Sequence, residues 1–137
     1  MEAPGSKAEI TYEIDREMRL VRVVCIGEVG LELIEACMRS VDADPDYELD
    51  FDGIIDLRNC TLELDSQKVR HLAMTIRAYP GSPGARRAVV AASDAQFGLM
   101  RMLEGHTSLA PVIYRAFRSE EMAMDWLAER KRKRSDE

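Results

Sequence analysis

The stretch from residue 52 to residue 76 constrains the fold of this 137-residue chain more than any other. Ile54, Ile55 and Leu57 form the short apolar run of a strand buried on both faces. Val69, Leu72, Ala73 and Ile76 then recur at i, i+3, i+4 and i+7, the buried face of a helix. A buried strand running into an amphipathic helix points to a crossover connection and a sheet with parallel pairs. Between strand and helix lie Asp56, Arg58, Asn59, Thr61, Asp65 and Ser66, which read as a polar turn. Asp65 or Ser66 caps the helix that follows.

The rest of the chain extends this pattern. Ile10, Tyr12 and Ile14 alternate with polar residues, the period of a half-exposed strand. Residues 20–26 form a second strand, and the short connection through residues 15–18 pairs the two antiparallel. Gly27 and Gly30 flank the start of a helix whose apolar stripe is Leu31, Ile34, Cys37 or Met38, and Val41. Pro45 excludes helix around it. Residues 88–92 and 112–117 are short apolar strands. Ser93 with Gln96 has the capping-box spacing, Gly105 marks the end of the helix they start, and Ser119 before Glu120 and Glu121 opens a last helix. The predicted order is β-β-α-β-α-β-α-β-α. It implies one α/β domain over residues 9–129 with a five-stranded mixed, mainly parallel sheet and an antiparallel first strand. Residues 1–8, with Pro4, Gly5 and Ser6, are expected to be flexible. Residues 130–137 are expected to form a basic, solvated tail.

Charge and cysteine usage narrow the function classes. The net charge is −6, and residues 130–134 alone carry five positive charges, so the body is acidic. An acidic body repels phosphates and argues against nucleic acid. Cys25, Cys37 and Cys60 are odd in number and lack CxxC spacing, which fits reduced thiols in the cytoplasm. The first nine residues lack the apolar core of a signal peptide, and no run approaches the ~20 apolar residues of a membrane span. Asp42, Asp44, Asp46, Glu48, Asp50 and Asp52 alternate as in a calcium loop. Tyr47 and Gly53, however, stand where an EF-hand needs glycine and an acidic residue, so the run reads as a solvated acidic loop. No Cys/His/carboxylate spacing suits a metal, no phosphate cradle or nucleophile elbow suits a cofactor or acyl chemistry, and His71 reads as a surface histidine. The pattern predicts no enzyme and no cofactor.

The order of elements resembles the SpoIIAA-like fold shared by STAS and lipid-binding CRAL-TRIO domains. It is most similar to bacterial SpoIIAA-like proteins of unassigned function. The residues that carry the likeness are Asp44-Pro45-Asp46-Tyr47, then Ile54-Ile55-Asp56-Leu57-Arg58, then Ala95-Gln96-Phe97-Gly98-Leu99-Met100-Arg101-Met102 before a strand and a Trp-containing helix. STAS proteins open their second helix with Asp-Ser-Ser/Thr-Gly and are phosphorylated on the second hydroxyl. Here Asp65-Ser66-Gln67-Lys68 stands in that place: Asp65 and Ser66 match, Gln67 replaces the phosphorylated residue and no glycine follows. Ser66 is the remaining candidate phosphosite, at a helix N-terminus that favours a dianion.

The likeness implies a regulatory module that binds a protein partner, or a second copy as a homodimer, through Asp56, Arg58, Asn59, Thr61, Asp65 and Ser66. In parallel sheets such sites lie beyond the carboxyl ends of the strands. The CRAL-TRIO likeness implies an alternative, a carrier or sensor of a lipid or fatty acid. Its pocket would lie between the third and fourth helices, lined by Met100, Leu103, Met122 and Trp126. Methionine suits such adaptable walls.

Overall fold

In the computed structural model, residues 7–79 and 81–135 are described. Most of the flexible N-terminus and the end of the basic tail expected above lie outside them. The elements are β1 (Glu9–Asp15), β2 (Leu20–Gly30), α1 (Leu31–Ala43), β3 (Asp52–Glu63), α2 (Ser66–Ala78), β4 (Arg86–Val90), α3 (Asp94–His106), β5 (Ile113–Phe117) and α4 (Glu120–Ser135). The strands lie in the sheet in chain order, with β1 antiparallel to β2 and every later pair parallel. This is the predicted order and sheet.

The sheet has two apolar faces. On one, Cys25, Leu57 and Val89 meet Val69, Leu72, Ala73 and Ile76 of α2 and Met100 and Leu103 of α3. On the other, Leu20, Ile54, Ala88 and Val90 meet Ala123, Trp126 and Leu127 of α4. Strands β3 and β4 are covered on both sides, which is why they read as continuous apolar runs. Consecutive crossovers place α1, α2 and α3 on one face, and only the last helix closes the other.

Two elements depart from the sequence reading. The first is residues 56–66, read as a polar turn. In the structure β3 continues through Glu63 beside β2, which continues through Gly30. Val24 pairs with Asp56 but Ile26 pairs with Asn59, so β3 carries an extra residue, a β-bulge. Past it, Cys60 and Leu62 are half-buried while Asn59, Thr61 and Glu63 are exposed. That period of two was present in the sequence, hidden by polar residues that also suit a turn. At Gly27, beside the bulge, φ is +79° and a Cβ would sit 2.1 Å from the Lys7 carbonyl oxygen, so only glycine fits.

The second is the basic run. Residues 130–134 continue α4. Arg130 reaches back to the buried Asp52 at 2.9 Å, and Lys131 donates to the Met18 carbonyl. The acidic loop is likewise tied down residue by residue. Asp44 accepts from the Tyr12 hydroxyl at 2.9 Å, Asp46 lies 3.8 Å from Arg16, and Asp50 pairs with Arg19.

Candidate functional site

The carboxyl-end rim holds a set of charged side chains that satisfy one another. Asp56 accepts from the Arg58 backbone N–H at 2.9 Å and from its Nε at 2.9 Å and Nη2 at 3.0 Å. These hydrogen bonds hold the Asp56 carboxyl below its usual pKa. Arg58 also faces Glu120 at 3.6 Å. Arg118 pairs with Asp94 and lies 5.1 Å from the centre of the Phe97 ring. Asp65 is the α2 N-cap, accepting from Lys68 N at 2.8 Å. Ser66 is the exposed first residue of α2.

The predicted partner surface is not one patch. Asp56 and Glu63 are seven residue steps apart along extended β3, about 23 Å at the usual rise per residue. Asp56 and Arg58 stand by the α3 and α4 N-termini, while Asp65 and Ser66 stand at the far end of the two-stranded extension. Asn59 and Thr61 project from the strand between them.

The sequence reading missed the role of Gln96. Its amide is buried and fully used: Nε2 donates to Leu57 O at 2.9 Å and Cys60 O at 2.6 Å, and Oε1 accepts from Ala92 N at 2.9 Å. Both carbonyls lie at or just past the bulge, and Gln96 fastens them to the start of α3. Ser93 does cap α3, accepting from Gln96 N at 3.1 Å. The glutamine side chain, however, satisfies the amide one residue before the N-cap. Beside it, the Cys25 and Cys60 thiols share a hydrogen bond that pushes Cys25 up and Cys60 down.

An apolar pocket lies beneath α1. A cavity of about 180 Å³ lies between α1, the edge of α2 and the sheet. Ile34, Cys37, Met38 and Val41 of α1 line it, with Val23, Ile55 and Val89 of the sheet. No residue of α1 is fully buried, although the helix carries the apolar stripe predicted for a core face. α2 buries four residues of its own stripe. Polar ties hold α1 at its edges. Glu35 accepts from Thr75 Oγ1 of α2 at 2.6 Å and faces His71 at 3.5 Å, and Tyr12 of β1 holds Asp44 at the other side. Burial in this wall pushes the Cys37 thiol up.

This corrects the predicted pocket. Met100 and Leu103 line the cavity. Met122 and Trp126 do not, because α4 lies across the sheet from α3. Trp126 packs on Phe117 at 5.5 Å, with Arg86 and Arg115 beside its ring, and Met122 is 58% exposed. Both helices carry methionines, and periodicity could not show that the sheet separates them.

The fold defines a class: a five-stranded mixed α/β sheet of SpoIIAA-like type. The chain is similar to the crystal structure of an uncharacterized protein of the DUF3478 family, with a SpoIIAA-like fold, from Shewanella loihica PV-4. The TM-score is 0.58 at 16% identity, over 92% of this chain and 99% of that one. No protein-family model matches the chain, and no curated protein matches it in sequence. Among the described residues no helix is long and apolar enough to cross a membrane.

Proposed function

We propose that this protein binds a small apolar molecule in the cavity beneath α1 and acts as its carrier or sensor. The supporting observation is the α1 stripe, which packs on the core only part-buried and lines a 180 Å³ space. In a domain held folded by roughly 5–15 kcal/mol, an apolar wall that no side chain covers forgoes roughly 25 cal/mol for each Å² that packing would bury. A ligand in the space would recover part of it and would pull α1 toward the sheet, which is how a sensor changes shape on binding.

The regulatory-module alternative has less support. Asp56 and Arg58 are consumed in an ion pair with one another, Asp65 caps α2, and Ser66 lies far from Asp56. Native mass spectrometry of protein purified without detergent tests the ligand assignment, together with displacement of a fluorescent apolar dye by added hydrophobic compounds. An adduct or saturable displacement is expected. A bare mass with no dye binding would count against any ligand.

A further inference from the structure

We propose that the cavity takes an anionic amphiphile, a carboxylate on an apolar chain or ring of about six to eight carbons, with Arg87 holding the carboxylate. This rests on the apolar-ligand assignment above. The size follows from volume: a cavity of roughly 150 Å³ accepts benzene, and this one measures about 180 Å³.

The chemistry follows from the rows of side chains across the sheet. At the amino ends of the parallel strands, Val21, Gly53, Arg87 and Tyr114 lie side by side in register. The next row on that face is Val23, Ile55, Val89 and Ala116, all apolar. The cavity wall therefore has one polar end, opposite to the rim where the sequence pattern places a site. Gly53 makes room for Arg87, since a Cβ there would lie 2.9 Å from Arg87 Cδ.

Arg87 is half-buried and lines the cavity. Its Nη1 donates to Phe51 O at 2.7 Å and Arg86 O at 3.4 Å, and its Nη2 donates to the Tyr47 hydroxyl at 3.0 Å. All three acceptors are uncharged. A guanidinium has five N–H groups, so among the described residues Nε–H and one Nη2–H remain, and Nε with Nη2 is an edge by which arginine grips a carboxylate. The Tyr114 phenol is pushed up by burial and down by Arg87, which places both groups in one environment. The one carboxylate among the lining residues is Asp42, exposed at the end of α1. It opposes an anion and sets a second test.

The experiment titrates the full-length protein with octanoate and with 1-octanol by calorimetry. Octanoate is expected to bind at least about tenfold tighter, the worth of a charge-assisted pair. Arg87→Gln should remove that preference and leave octanol binding unchanged, and Asp42→Asn should tighten octanoate alone. The arginine Nε–H resonance of Arg87 should shift with octanoate only. Equal affinity for the two probes in the native protein overturns the carboxylate site while leaving an apolar ligand in place. Binding of neither probe overturns both. If Arg87→Gln does not fold, the comparison on the native protein and on Asp42→Asn decides.

Discussion

The Asp52 carboxylate, 1% exposed, meets the Arg130 guanidinium at 2.9 Å. Asp52 is the first residue of β3, and Arg130 stands on the last helix. Asp52 also accepts from the Arg86 backbone N–H at 2.8 Å. One buried carboxylate thus joins β3, β4 and the C-terminal helix. Removing one partner strands the other charge in the core, a loss of about 3–5 kcal/mol. Arg130→Ala should therefore cost about 3 kcal/mol in urea unfolding, far more than loss of a surface arginine. Asp52→Asn with Arg130→Met should recover much of that, because it keeps an acceptor for Arg86 and leaves no charge. A loss under about 0.5 kcal/mol for Arg130→Ala, the scale of an exposed pair, would show that this contact does not hold the helix.

Gln96 is the second polar group on which the core depends. Gln96→Leu keeps the apolar volume but removes the amide partner of Leu57 O, Cys60 O and Ala92 N, leaving Leu57 O with the weak Cys60 thiol donor at 3.4 Å. Each buried polar group left unpaired costs about 1–3 kcal/mol, less where water can reach it. The expected loss is about 3 kcal/mol. Amide exchange should quicken in the β2 and β3 extension before the rest of the sheet. Uniform exchange across the sheet would mean that the bulge is held by something else.

These two residues show what the sequence made legible and what it hid. The strand and helix order followed from periodicity: Ile10, Tyr12 and Ile14 on β1, and the stripe of α2. The Ser93 cap followed from spacing. Gln96 could be placed at the start of a helix, but its true partners are 36 and 39 residues away and exist only once the bulge does. Arg130 sat in a run that, by composition, belongs in water. Its burial depends on Asp52, which in turn ended a row of alternating acids. The polar end of the cavity was hidden for the same reason. Arg87 and Gly53 meet only through the strand register, and the carboxyl-edge rule directs attention to the opposite end of the sheet.

The rim pair should register in acid. The Asp56 carboxyl is held below its usual value of 3.8 by the Arg58 side chain. A group whose folded pKa is depressed contributes its stability above the unfolded value, and that contribution fades as pH falls through the folded one. Arg58 is substantially exposed, so the contribution is about 0.5 kcal/mol. Asp56→Asn should lower stability by that amount at neutral pH and by progressively less as pH falls through the depressed Asp56 pKa, where the native side chain becomes neutral too. Urea midpoints measured down that range check it. A difference that stays constant with pH would assign the effect to geometry and not to charge.

Filling the cavity should stabilise the protein and close it to ligands. Val23 lies in the apolar row of the sheet and Ile34 faces it from α1, and both line the space. Val23→Leu adds one methylene, worth about 0.8 kcal/mol when buried without strain. Ile34→Phe adds three carbons, and a substitution that fills a void commonly yields about 0.5–2 kcal/mol. In a close-packed core the same changes cost about 1–3 kcal/mol, because side chains are forced off their rotamers. The sign of the change therefore reports whether the space exists. A rise in the urea midpoint at unchanged slope is expected for both variants, with octanoate binding weakened about tenfold or more in Ile34→Phe as ligand and ring compete for one volume. If both variants lose stability, α1 lies closer to the sheet in solution and the volume available to a ligand is smaller than 180 Å³.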